Sequence, residues 1–112
     1  MNGKYVPIPH PALESASAAL SDGSTIYLYR YGNICSLIVN VTTQAAMNSW
    51  TTIATIPERF RPAMAVFFAN MLGGSLYTGL RLNTDGTIVS SLNIPASYGL
   101  WATVTYIALY RD

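Results

Sequence analysis

The sequence predicts an all-β fold, an antiparallel β-sandwich of jelly-roll type behind a short extended or helical N-terminal neck. Three observations predict it. From Ser24 onward, apolar and polar residues alternate with period two, as in STIYLYRY. Val, Ile, Thr, Tyr and Phe dominate these runs, as half-buried pleated surfaces favour. Turn signals separate them, among them Gly32-Asn33, Gly73-Gly74 and Asp85-Gly86. About seven short strands with turns between them suit a sandwich. A chain of 112 residues forms one domain.

The elements follow in chain order, with a neck over residues 1–22 and a head over 23–112. Pro7, Pro9 and Pro11 stand at alternate positions, so the leader is extended or polyproline-like. In PALESASAALSDG, Leu13, Ala16 or Ser17, and Leu20 fall at helical spacing between Pro11 and Gly23. That predicts a two-turn helix, too short to persist without packing. STIYLYRY puts Ile26 and Leu28 on one face and Tyr27, Tyr29 and Tyr31 on the other, where tyrosines suit a subunit interface. ICSLIVNV follows the Gly32-Asn33 turn, and Cys35 keeps step with its apolar residues as a small buried hydrophobe. As the sole cysteine it forms no intrachain disulfide. A nucleophilic role would need His10, which lies in the proline-rich leader.

WTTIATI leads into TIPERFRP, where Pro57 and Pro62 interrupt strand pairing. The stretch predicts a structural corner built from Pro57, Phe60, Arg61 and Pro62. Phe60 tucks inward. Arg59, Arg61 and Glu58 face solvent or bridge to a neighbouring chain, with Glu58 as the arginines' ion partner. AMAVFFANM and SLYTGLRL form a hairpin around Gly73-Gly74. NTDG is a turn, TIVSSLNI a strand, and Pro95 to Gly99 a loop before GLWATVTYIALY. In that last run, Leu100, Val104 and Tyr106 alternate with Trp101, Ile107 and Leu109, so both faces are apolar. With only 10% charged residues, this predicts a homo-oligomer whose outer faces are covered by other subunits.

Composition bears on function class. The six Lys and Arg form no basic stripe, which argues against duplex nucleic acid as a partner. No apolar run reaches the roughly 18 residues of a membrane span. The start, MNGKYVPIPHPALE, has no apolar core of a signal peptide. One His and one Cys far apart make no metal-ligand spacing, and no glycine-rich phosphate loop opens a helix. No metal or cofactor is expected. Asp22 and Asp85 precede glycines and read as turn caps, which leaves no acid pair and predicts a protein that is not an enzyme. Asn40-Val41-Thr42 matches a glycosylation sequon but lies in an apolar strand.

Binding chemistry is better represented. With 21 Ser and Thr against 11 charged residues, the polar surface is mostly uncharged, as saccharide-binding surfaces often are. Aromatic rings stack on sugar C–H faces, and Arg, Asn and Asp hydrogen-bond hydroxyl edges. Tyr77, Gly79 and Arg81 fall on one strand face, with Leu76, Leu80 and Leu82 on the other and open space at Gly79. Tyr98 and Trp101 flank the SYGLW loop. The candidate saccharide-binding residues are Tyr77, Arg81, Tyr98 and Trp101. Taken singly, Trp50 and Trp101 read more readily as core or interface anchors than as ligand contacts.

The order LSDGSTIYLYRYGNICSL, Trp50 with TIATIPERFRP, RLNTDGTIV and a Thr/Tyr-rich last strand resembles the C-terminal receptor-binding head of phage tail-fibre or baseplate proteins. The resemblance rests on the proline turn Ile56 to Pro62 and the turn Asn83 to Gly86, and covers roughly residues 20–112. It implies a homotrimeric sandwich in a virion tail that binds host-surface polysaccharide or teichoic acid. It also implies that the N-terminal segment joins other tail proteins. No residue carries over from it as a ligand. Two other readings fit the residues: a carbohydrate-binding module of a larger bacterial protein, and a purely structural trimerisation domain.

Overall fold

The computed structural model describes residues 11–111, so Pro7, Pro9 and His10 lie outside the described residues. The fold is all-β and antiparallel, as the period-two pattern predicts. Eight strands run β1 (Leu13–Ala19), β2 (Thr25–Tyr31), β3 (Ile34–Thr42), β4 (Thr52–Thr55), β5 (Val66–Leu72), β6 (Ser75–Leu82), β7 (Thr87–Ser90) and β8 (Gly99–Ile107). One 3₁₀ turn, Glu58–Phe60, lies between β4 and β5. The strands hydrogen-bond in the order β1-β2-β3-β8-β5-β6-β7-β4. Ser21 N–H donates to Ile53 O at 2.7 Å, which ties the end of β1 to β4 and nearly closes the sheet on itself. The β5–β6 hairpin turns at Gly73-Gly74, whose φ angles of 59° and 86° suit the tight turn that strand twist favours.

β1 corrects an expectation. The two-turn helix is instead a seven-residue strand, paired with β2 from Leu13 opposite Tyr31 to Ala19 opposite Thr25. The expected neck is therefore sheet from Leu13 onward. Glu14, Ala16, Ala18 and Leu20 take the inner side at period two, and both alanines pack on the core. A short isolated helix has little to hold it, whereas β2 offers a full ladder.

The core fills the space between the two halves of the sheet. Ile26, Leu28, Leu37, Leu80, Ile88 and Leu100 are fully buried there. Each contributes about 1.5–3 kcal/mol by leaving water. Cys35 is buried among them as expected, and burial pushes its thiol pKa up.

Arg30 is the exception in this layer. It is 1% exposed, on the same face of β2 as Ile26 and Leu28. Its guanidinium donates to the carbonyls of Gly32 (2.9 Å), Arg59 (2.6 Å) and Tyr110 (2.7 Å). Glu14 Oε2 lies 3.9 Å from its Nε. The proline corner is thereby capped from inside. Arg30 takes the Arg59 carbonyl, and the Tyr106 hydroxyl donates to the Phe60 carbonyl at 2.7 Å. Burial drives the Tyr106 pKa upward.

The corner itself is as expected. Phe60 is 4% exposed and anchors the turn in the core, beside a buried Pro62. Glu58 and Arg59 are exposed, as expected. Arg59 pairs with Glu14 of β1 at 2.8 and 2.9 Å, a partner the sequence did not suggest. Arg61 is half-buried and its Nε packs against Gly86, so it does not simply face solvent.

Both turn aspartates act as predicted. Asp85 accepts from the Thr87 hydroxyl and N–H, and these bonds hold its pKa low. Asp22 accepts from Ser24 N–H at 2.9 Å and Gln44 N–H at 2.8 Å. Burial pushes its pKa up, but the hydrogen bonds outweigh this and hold it below the ordinary value.

Two tests follow from these contacts. Arg30→Met should cost about 3 kcal/mol or more in urea unfolding, because three carbonyls lose a buried donor. Arg59→Ala, which removes only a half-exposed pair, should cost under about 1 kcal/mol. Equal losses for the two would contradict this. For Asp22 the folded pKa lies below the unfolded one, so its contribution is present above about pH 4 and lost as pH falls through the folded value. Asp22→Asn should therefore flatten the decline of the unfolding midpoint between about pH 5 and pH 2.

Candidate functional site

The four predicted binding residues do not form one cluster. The reason is a bulge in β6. Phe68 pairs with Leu80 and Ala69 with Thr78, which leaves Gly79 without a partner. Such a bulge shifts the alternation by one residue. Tyr77 therefore faces inward, opposite the buried Asn70, while Leu76 points out and is 70% exposed. Arg81 points outward opposite Phe67. The expected common face of Tyr77, Gly79 and Arg81 is thus split in two. Gly79 is also not open space. Its φ is 125°, and any Cβ there would collide with the Ser91 side chain.

Tyr77 packs against the core and its hydroxyl donates to the Asn93 carbonyl; burial raises its pKa. This is a structural role. Beside it, Asn70 is 2% exposed, and neither its Nδ2 nor its Oδ1 has a hydrogen-bond partner among the described residues.

Tyr98 and Trp101 do come together, at the end of the sheet where the β5–β6 turn meets the start of β8. Gly73 N–H donates to Gly99 O at 3.0 Å. The Tyr98 ring lies over Gly73, and the Trp101 indole lies over Gly99, so glycines make room for both rings. The rings are about half exposed, at 48% and 51%. Trp101 stands between Asn40 of β3 and Met71 of β5, and Leu76 pairs with Met71 beyond it. The indole and the exposed Asn40 amide are thus neighbours on the outer face, and the half-exposed Tyr98 phenol lies at the adjoining sheet end. Rings can stack on apolar faces of a ligand, and the amide offers both donor and acceptor.

Thr43 holds the loop before β8 still. It is buried, accepts at Oγ1 from Tyr98 N–H (2.9 Å) and donates to Pro95 O (2.7 Å). Its backbone bonds Tyr98 O at 2.8 Å and Ser97 N–H at 2.7 Å. Those bonds keep Ser97 at a φ of 65°, a left-handed conformation that non-glycine residues rarely adopt.

Arg81 forms a separate feature. Its guanidinium carbon lies 4.8 Å from the Phe67 ring centroid, a cation–π contact. Its Nε has no hydrogen-bond partner among the described residues. A shallow hollow of about 330 Å³ beside the pair is lined by Phe67, Phe68, Ala69 and Gly79. Trp50, 63% exposed, is no core anchor.

Sequence reasoning missed Thr43, Asn40, Leu76 and Phe67. Only Phe67 carried a usable signal, as an aromatic at the outward parity of its strand. Among the described residues, no three His, Cys, Asp or Glu side chains are grouped to hold a metal ion. No protein-family model matches the chain, and no curated protein matches it.

Asn70→Leu should raise thermal stability by about 1–2 kcal/mol, because an apolar isostere removes an unpaired buried amide. A lower melting temperature would mean that the amide is needed in the folded state.

Proposed function

We propose that the chain is the receptor-binding head of a phage or phage-like tail fibre or baseplate. It works as a homotrimer and binds host cell-surface polysaccharide or teichoic acid without catalysis. The observation that carries the reading is the paired presentation of Tyr98 and Trp101. Two half-exposed rings lie on glycine backbones, and the loop before β8 is braced by Thr43. A rigid aromatic shelf suits recognition of sugar C–H faces, since little freedom is lost on binding. Arg81, stacked on Phe67, offers a second contact for hydroxyl or anionic groups.

The acidic residues support recognition over hydrolysis. Asp22 and Asp85 cap turns and Glu14 pairs with Arg59, so these carboxylates serve structure. Each saccharide contact is weak, and three linked sites raise affinity through effective concentration. The N-terminal segment joins the head to other tail proteins in the virion.

The test is binding of the whole chain to purified host-wall polysaccharide and teichoic acid, by calorimetry and on a glycan array. Tyr98→Ala with Trp101→Ala should weaken binding by about tenfold or more, the loss of two stacking contacts of about 1 kcal/mol each. Arg59→Ala should bind as the native chain does. Binding unaffected by loss of both rings would place the site elsewhere, and silence across wall polymers would favour a purely structural head.

A further inference from the structure

The sheet has one broad surface that the saccharide reading does not use. β1, β2, β3 and β8 are consecutive neighbours, and their registers align outward residues in rows. One row runs Leu13, Tyr31, Ile34, Ile107. The next is Ser15, Tyr29, Ser36, Thr105, where the Ser36 and Thr105 hydroxyls bond each other at 3.0 Å. A third is Ser17, Tyr27, Ile38, Thr103. Leu13 is 67% exposed, Tyr27 53%, Tyr31 49% and Ile107 49%.

The strands themselves bring no charge to this surface. The four strands hold two charged residues, Glu14 and Arg30, and both take the inner side. A solvated protein surface is normally about a quarter to a third Lys, Arg, Glu and Asp. At roughly 100 Å² for each half-exposed aromatic or aliphatic side chain, the patch reaches about 800 Å² with its hydroxyl rows. Its apolar part, about 600 Å², lies at the top of the range for a monomer's largest patch, and the whole equals one side of a standard stable interface.

We infer that this outer face of β1, β2, β3 and β8 is the surface on which copies of the chain meet. It deepens the oligomeric part of the proposed function and is independent of the ligand. A second copy fits for two reasons. A face without charge meets its own copy with no like-charge repulsion, whatever the symmetry. Its tyrosines and depleted charge match the composition of interface cores. An anionic polymer or nucleic acid would need clustered cations, whereas these strands present none outward and Arg111 stands at the rim beside Thr105 and Ile107. Trp101 borders this region, two residues along β8 from Thr103 and about 7 Å away at strand rise, while the row through Ile107 lies about 20 Å off.

The experiment is sedimentation velocity on the full chain across a wide concentration range, with Tyr29→Glu in the central row and Leu92→Glu as an exposed control off this face. The native chain and Leu92→Glu should sediment as oligomers. Tyr29→Glu should be folded by circular dichroism and dissociate at least 100-fold more readily. If that variant fails to fold, the milder Tyr27→Ser with Tyr29→Ser serves the same comparison. A native chain that stays monomeric, or a folded Tyr29→Glu that stays fully assembled, overturns the inference. A dimeric native chain dissociated by Tyr29→Glu supports it while overturning the homotrimer. A monomer that still binds wall saccharide overturns it while sparing recognition.

Discussion

A single buried cation organises one end of the molecule. The Arg30 guanidinium reaches carbonyls from three separate segments: Gly32 after β2, Arg59 in the proline corner and Tyr110 after β8. An arginine suits this position better than a lysine, because its rigid fork satisfies several acceptors with little further loss of freedom. Around it, the Tyr106 hydroxyl holds Phe60 O and the Leu109 N–H holds Arg61 O. The corner between β4 and β5 is thereby tied to the end of β8, and Phe60 is delivered into the core. Removing only the cation would strand its acceptors, which costs more than the pairing itself contributes.

The same arrangement shapes the outer surface. Because Glu14 and Arg30 are on the inner side, four adjacent strands present no charge outward. At the other end of β8, Thr43 rather than Arg30 supplies the bracing, and it holds the backbone of the Pro95–Tyr98 loop in place. Each end of the strand thus has its own buried polar anchor. The proposed division of labour sets self-association on the outer face of β1, β2, β3 and β8 and saccharide recognition at its Trp101 edge.

Much of the fold was legible because strands with one buried face carry period-two patterning. The β5–β6 hairpin, the Asp85-Gly86 turn and the inward Phe60 were all readable from local chemistry. β1 was not, because its small Ala and Ser residues satisfy a helical spacing and a strand spacing equally well. Arg30 was legible in principle, since its parity with Ile26 and Leu28 points inward; its charge argued the other way. The candidate site was read less well. A bulge at Gly79 shifts one strand by a single residue, and that shift separated Tyr77 from Arg81. Tyr98 and Trp101 survived because both flank one short loop. Thr43 had no local signal, since its partners lie more than fifty residues away.

The central claim is that the Trp101 end of the sheet meets saccharide. The chain has two tryptophans, both exposed and each with one indole N–H, so each can be followed separately by NMR. Titration with soluble host-wall fragments should shift the Trp101 indole signal and leave that of Trp50 in place. A shift confined to Trp50, or saturable binding that moves neither, would contradict the account.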